Sequence, residues 1–179
     1  MTEMAKDYED VTQYPLDPER EEELIELQRE CCFMWANKAG HPIGVIMSYL
    51  EHDGKLWLTA TNTRARVPAI KRSGLSSICI TSTGTEMGGG KTVTYKGHTV
   101  IHEGDQDINN WFYPALAARL YPEGEASEAK RVQFAEFLDS PHRVVFEFKS
   151  EKKILYDGDK MWAATPDADA PGDWESEKF

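Results

Sequence analysis

The stretch Leu56–Arg72, LWLTATNTRARVPAIKR, decides the fold. It reads as a strand that stops at a Thr-rich turn, releases two spaced arginines and enters a basic helical turn. In the strand, Leu56, Leu58 and Ala60 alternate with Trp57, Thr59 and Thr61. That period of two gives one face to a core and leaves the other able to offer hydroxyls to a ligand. The short helix Val67–Arg72 follows, and N–H groups at a helix start lack intrahelical partners while the helix dipole favours an anion there. Arg64 and Arg66 can add bidentate, charge-assisted contacts to a phosphate that lysine would not reproduce. The competing explanation is a solvated basic turn, because surface Arg and Lys are common.

Upstream, Cys31–Lys38 reads as a strand, Ala39-Gly40-His41-Pro42 as a turn and Ile43–Leu50 as a second strand. Asp53-Gly54 between two apolar runs is a two-residue hairpin signal leading into the third strand, Lys55–Thr61. Three strands on short turns make an antiparallel meander. Downstream, Gly74 ends the short helix, Ser76–Thr83 is a fourth strand and Lys91–Gly104 a fifth, with Gly97 expected at a bulge or sharp bend. Asp105 and Asp107 can cap INNWFYPALAARLYP, which Pro114 is expected to divide into two helical pieces. Ser127 caps a further helix with Val132, Phe134, Phe137 and Leu138 turned inward, closed by Pro141. Arg143–Trp162 returns to strand character. At the other end, Asp17-Pro18-Glu19 is a helix start. The expected organisation is an N-terminal flexible arm at 1–16, one domain at 17–162 with a helical insertion near 105–140, and an acidic flexible tail at 163–179. Met1–Tyr14 is expected to lie loosely on the surface. Short strands in meander order with helices at the ends predict a mainly β fold, a small antiparallel barrel.

The 179 residues suit one well-packed domain. A net charge of −11 disfavours general nucleic-acid or anionic-membrane binding, so a local basic site in this chain suits one small anionic ligand. Three cysteines, two adjacent at Cys31 and Cys32, give neither a disulfide framework nor a CxxC zinc pattern, and a cytoplasmic location is expected. No signal peptide is expected, and the apolar runs fall short of the ~20 residues of a membrane span.

Two motifs invite chemistry and fail on spacing. In Gly84–Thr92, GTEMGGGKT, the first glycine of a P-loop should stand at Thr85, and the run after Lys91 has strand rather than helix character. His98 and His102 share a strand face but lie ~13 Å apart at about 3.3 Å per residue, too far to hold one zinc ion. No nucleophile elbow, HExxH or Cys–His pairing is visible, so no catalytic or metal-ligating residue is assigned. That favours an enzyme whose cofactor carries the reactivity, or a binding protein. Trp111-Phe112-Tyr113 and Trp162 are expected to be core, or else to cover a planar ring or a dimer seam.

The hairpin HPIGVIMSYLEHDGKLWLTAT, the following NTRARVPAIKRSG, SSICITST and TVTYKGHTVIHEG together resemble the pyridoxamine-5′-phosphate-oxidase-like proteins. The resemblance to this FMN-binding split-barrel family of flavin and deazaflavin oxidoreductases covers Cys31–Glu103, with a weaker match at Arg143–Asp157. It implies an antiparallel split β-barrel and a homodimer with cofactor sites at the subunit interface. FMN phosphate would be held by Arg64, Arg66 and Lys71, and the isoalloxazine lined by Met47, Ser48, Thr59, Ala60 and Thr61. The implied activity is hydride or electron transfer with a small-molecule substrate. A deazaflavin coenzyme on the same fold, or a non-enzymatic haem- or small-ligand-binding module, are the alternatives. True vitamin B6 oxidases carry Arg and Lys in the second strand where this chain has Gly44 and Tyr49, so pyridoxamine-phosphate oxidation itself is not expected.

Overall fold

A computed structural model of the chain describes residues 10–124 and 127–164. After a 3-10 turn at Val11–Gln13, the described residues form α1 (Pro18–Leu27), β1 (Glu30–Ala36), β2 (Pro42–Ser48), β3 (Leu50–His52) and β4 (Lys55–Thr61). Next come α2 (Arg66–Ser73), β5 (Leu75–Thr81), β6 (Lys91–Glu103), α3 (Gln106–Leu120), α4 (Glu128–Leu138), β7 (Arg143–Asp157) and α5 (Gly158–Ala164). The strands make one sheet in the order β2-β1-β5-β6-β7-β4-β3, antiparallel where its register is defined. The two strands that end this order, β2 and β3, are consecutive in the chain and separated only by Tyr49. Its edges therefore come to within one residue, and the sheet must curl round on itself.

By compactness the chain divides into two units. The larger comprises Arg29–Cys79 and Tyr95–Lys153. Its inner face is built by alternation: Leu56, Leu58 and Ala60 of β4 stand opposite Phe148, Phe146 and Val144 of β7, all buried. Phe33 of β1 stacks on Phe146 at 5.5 Å between ring centres. The outer face of β4 and β7 is covered by α3 and α4, where Trp57 and Val145 pack with Phe112, Tyr113, Leu116 and Leu138. The β3–β4 turn uses Asp53 (φ 53°) and Gly54 (φ 69°), two consecutive left-handed residues. That is the two-residue turn whose twist matches the strands, as the Asp-Gly signal predicts.

The smaller unit holds Ile80–Thr94 with the described parts of Met1–Gln28 and Ile154–Phe179. Lys91 organises it: its buried ammonium donates to the carbonyls of Met87 (2.9 Å) and Gly89 (3.3 Å) and pairs with Asp159 (2.7 Å). The Gly-rich loop is thus closed by its own lysine and leads into a strand, as its spacing implied. Among the described residues no helix is long and apolar enough to cross a membrane.

Several expectations are corrected. The second strand ends at Ser48, not Leu50: Tyr49, fully buried with the Arg119 guanidinium 5.0 Å from its ring centre, lies between β2 and β3, and Leu50 begins β3. Pro114 does not divide its segment; α3 runs unbroken through it. Burial of Phe112, Tyr113, Leu116 and Ala117 on either side offsets the hydrogen bond Pro removes. In α4 only Leu138 is fully buried, with Phe134 and Ala135 partly so; Val132 and Phe137 turn outward. Gly97 is not among these: it lies within the 13-residue strand β6, where a Cβ would stand 2.0 Å from the Lys149 carbonyl oxygen, a close backbone approach that calls for glycine. Residues 158–162 are helical rather than extended, because the Asp157 carboxylate accepts the Asp159 N–H (3.0 Å) and caps α5. Tyr14 is buried, its carbonyl accepting the Asp157 N–H, instead of lying loosely on the surface. Residues 1–9 and 165–179, and with them most of the expected arm and tail, lie outside the described residues.

Candidate functional site

The junction between β4 and α2 is a tight turn. The Arg64 N–H donates to the Thr61 carbonyl (3.0 Å) and the Val67 N–H to that of Arg64 (2.9 Å). Ala65 precedes α2 and no side chain caps the helix; the Arg64 carbonyl is the acceptor for the Val67 N–H. Its end is closed by Gly74, whose N–H donates to the Ile70 carbonyl at 2.7 Å.

The two arginines differ in setting. Arg64 is exposed, whereas Arg66 is half-buried, and its Nε is fully buried with no hydrogen-bond partner. Burial, and then the positive charge of Arg64, pull the Arg66 guanidinium below its ordinary pKa. Among the described residues neither arginine pairs with a carboxylate, in a chain of net charge −11. Two like charges held together, one with an orphaned donor, would be relieved by an anion. Lys71 stands apart: its ammonium pairs with Glu103 at 2.7 Å. Arg72 donates to the Ala36 carbonyl at 2.9 Å.

The five residues read as ring-lining come together unevenly. Leu50 is level with Trp57 across the β3–β4 hairpin. Met47 and Ser48 end β2, one residue before β3, while Thr59 and Ala60 lie in β4 just past Trp57. Alternation then divides the set. Met47 and Ala60 are buried on the inner face, and Ser48, Thr59 and Thr61 are half-buried on the outer one. That outer face, expected to be open along Trp57, Thr59 and Thr61, is closed at its Trp57 end by α3. The Thr59 hydroxyl is itself engaged, donating to the Val144 carbonyl (3.0 Å) and bonded to the Tyr113 side chain. Trp111–Tyr113 therefore serves the core of this unit, while Trp162 is partly exposed.

A residue overlooked in the sequence is Arg143. It is half-buried and stands opposite Thr61 in the β4–β7 register, with its guanidinium over the Phe137 ring of α4, 5.8 Å from the ring centre. The Asn62 N–H donates to the neighbouring His142 carbonyl (2.8 Å), tying that end of β7 to the junction. Only the pairing of strands about 80 residues apart reveals this, and no local pattern carries it. The histidines weighed for metal or haem are both partnered: His98 Nδ1 lies 2.7 Å from Glu151, and His102 Nε2 lies 2.8 Å from Glu147.

No protein-family model and no curated protein matches the sequence. Solved structures do match, at the level of the fold. A conserved hypothetical protein from Mycobacterium tuberculosis superposes with a TM-score of 0.66 at 15% identity, over 82% of this chain and 88% of that one. An F420 reductase gives 0.54 at 18%, over 74% of this chain and 94% of its own. A candidate pyridoxamine 5′-phosphate oxidase from Listeria innocua gives 0.56 at 14%, over 76% and 95%. The chain has the fold of pyridoxamine-5′-phosphate-oxidase-like proteins, and the resemblance read from the sequence holds at that level.

Proposed function

We propose that the chain is a flavin-dependent oxidoreductase that grips the phosphate of FMN at the β4–α2 junction. The observation that carries this reading is the buried, unpartnered Arg66 Nε beside Arg64, at an uncapped helix start. Arg66 is the principal phosphate ligand and Arg64 the outer one; Arg143 adds positive charge nearby. Lys71 contributes only when it releases Glu103. The flat ring lies against backbone and small side chains at the end of β2 and along β4, with Ser48, Thr59 and Thr61 toward it and Met47 and Ala60 behind them on the buried inner face. Bound FMN would supply hydride and one-electron chemistry, and the chain supplies the clamp, the orientation and an apolar wall. A second copy of the chain supplies the opposite wall, which makes the working form a homodimer. The substrate is a small molecule.

The same clamp fits the anionic tail of a deazaflavin coenzyme, a reading supported by the fold shared with the F420 reductase. Haem ligation through His98 or His102 is less favourable, because each would first have to leave its carboxylate. Titrating the purified protein with FMN and with the deazaflavin coenzyme, followed by fluorescence quenching, separates the two flavin readings. Binding of neither overturns both.

A further inference from the structure

The β1–β5 register brings together two thiols that the flavin site does not use. Cys32 and Cys79 are direct partners across this antiparallel pair. Their neighbours Phe33 and Ile78, also direct partners, are fully buried, so the cysteines share the opposite, outer face, and both are partly exposed. Directly opposed residues in such a pair have Cα atoms about 4.5 or 5.5 Å apart. That is inside the ~4.4–6.8 Å a disulfide spans. The third cysteine, Cys31, is buried on the other face with its thiol directed at the Met47 carbonyl (3.4 Å).

We propose that Cys32 and Cys79 form an oxidisable cross-strand dithiol, converted to an intramolecular disulfide by exchange with a small disulfide. One thiolate attacks the small disulfide, forming a mixed disulfide and expelling one thiol. The other thiolate then attacks the protein sulfur of that mixed disulfide, closing the Cys32–Cys79 bond and releasing the second thiol. Two electrons pass from the protein to the reagent, and both protein thiol protons end on the released thiols or in solvent. The Cys32 sulfur rests over Gly44, where an added Cβ would lie 2.8 Å from it. Closing the bond requires this sulfur to leave its seat for Cys79 by a χ1 rotation between staggered wells. Burial, and then Cys79, hold the Cys32 thiol above its ordinary pKa.

The test is to incubate the reduced full-length protein with oxidised glutathione, quench with iodoacetamide in denaturant, and measure intact mass and fragment spectra. The expected product is a monomeric chain lighter by two hydrogens with one alkylated cysteine. Fragmentation between the adjacent residues should assign that free cysteine as Cys31. Cys79→Ser should instead accumulate a single glutathione adduct on Cys32. Gly44→Ala, whose methyl displaces the Cys32 sulfur from its seat, should close the bond several-fold faster; an equal or slower rate counts against the proposal. A bond involving Cys31, a bond between chains, or stable glutathione adducts on both Cys32 and Cys79 of the wild type would overturn it.

Discussion

Arg66 holds the highest energetic stake in the candidate site, because a buried guanidinium nitrogen without a partner is costly until an acceptor arrives. Hydrogen bonds to charged groups contribute about 1.5–3 kcal/mol. Arg66→Ala is therefore expected to weaken FMN binding about tenfold to a hundredfold while far-ultraviolet circular dichroism stays unchanged. Glu147 offers a second test, on stability. Burial pushes its carboxyl upward, but hydrogen bonds and charge from Lys55 and His102 outweigh this and hold it below its ordinary value of 4.5. A carboxyl depressed on folding stabilises the native state above its unfolded pKa, and that contribution fades as pH falls through the folded pKa. Glu147→Gln should accordingly melt below wild type at neutral pH, and the gap should close as pH drops below 4.5. A gap that is constant across pH would mean the Lys55–Glu147–His102 cluster contributes nothing through charge.

Among the elements, those whose identity rests on local chemistry were legible in the sequence. The Asp53-Gly54 hairpin, the α1 start at Pro18, the α4 cap at Ser127 and the β4–turn–α2 run all follow from turn and cap residues. The illegible features depend on partners far along the chain. Nothing near Pro114 announces that buried neighbours carry α3 through it, and nothing near Thr61 announces Arg143. Phe137 shows the opposite failure, an apolar residue at a plausible spacing whose side of α4 is left outside. Two substitutions probe these elements. Pro114→Ala restores an N–H in an exposed position of α3 and should raise the melting temperature, by a stabilisation of about 1–3 kcal/mol. Gly97→Ala drives a methyl into the backbone at Lys149 and Ser150 and should cost about 3 kcal/mol or more, read in the same melts.

For the whole molecule, the fold alone leaves the function open, because one scaffold hosts many chemistries. A charge of −11 with a local pair of arginines is what sets this region apart, and a small anionic ligand is the reading proposed for it. Assembly is part of the same reading: light scattering on the purified chain should give twice its 20.3 kDa mass. The most direct test compares FMN with riboflavin, which share the ring and differ by the phosphate, in fluorescence titrations of wild type and Arg66→Ala. The expected result is that wild type prefers FMN strongly and that Arg66→Ala loses most of that preference. Equal affinity for FMN and riboflavin in the wild type, or an FMN preference untouched by the substitution, would contradict the phosphate clamp.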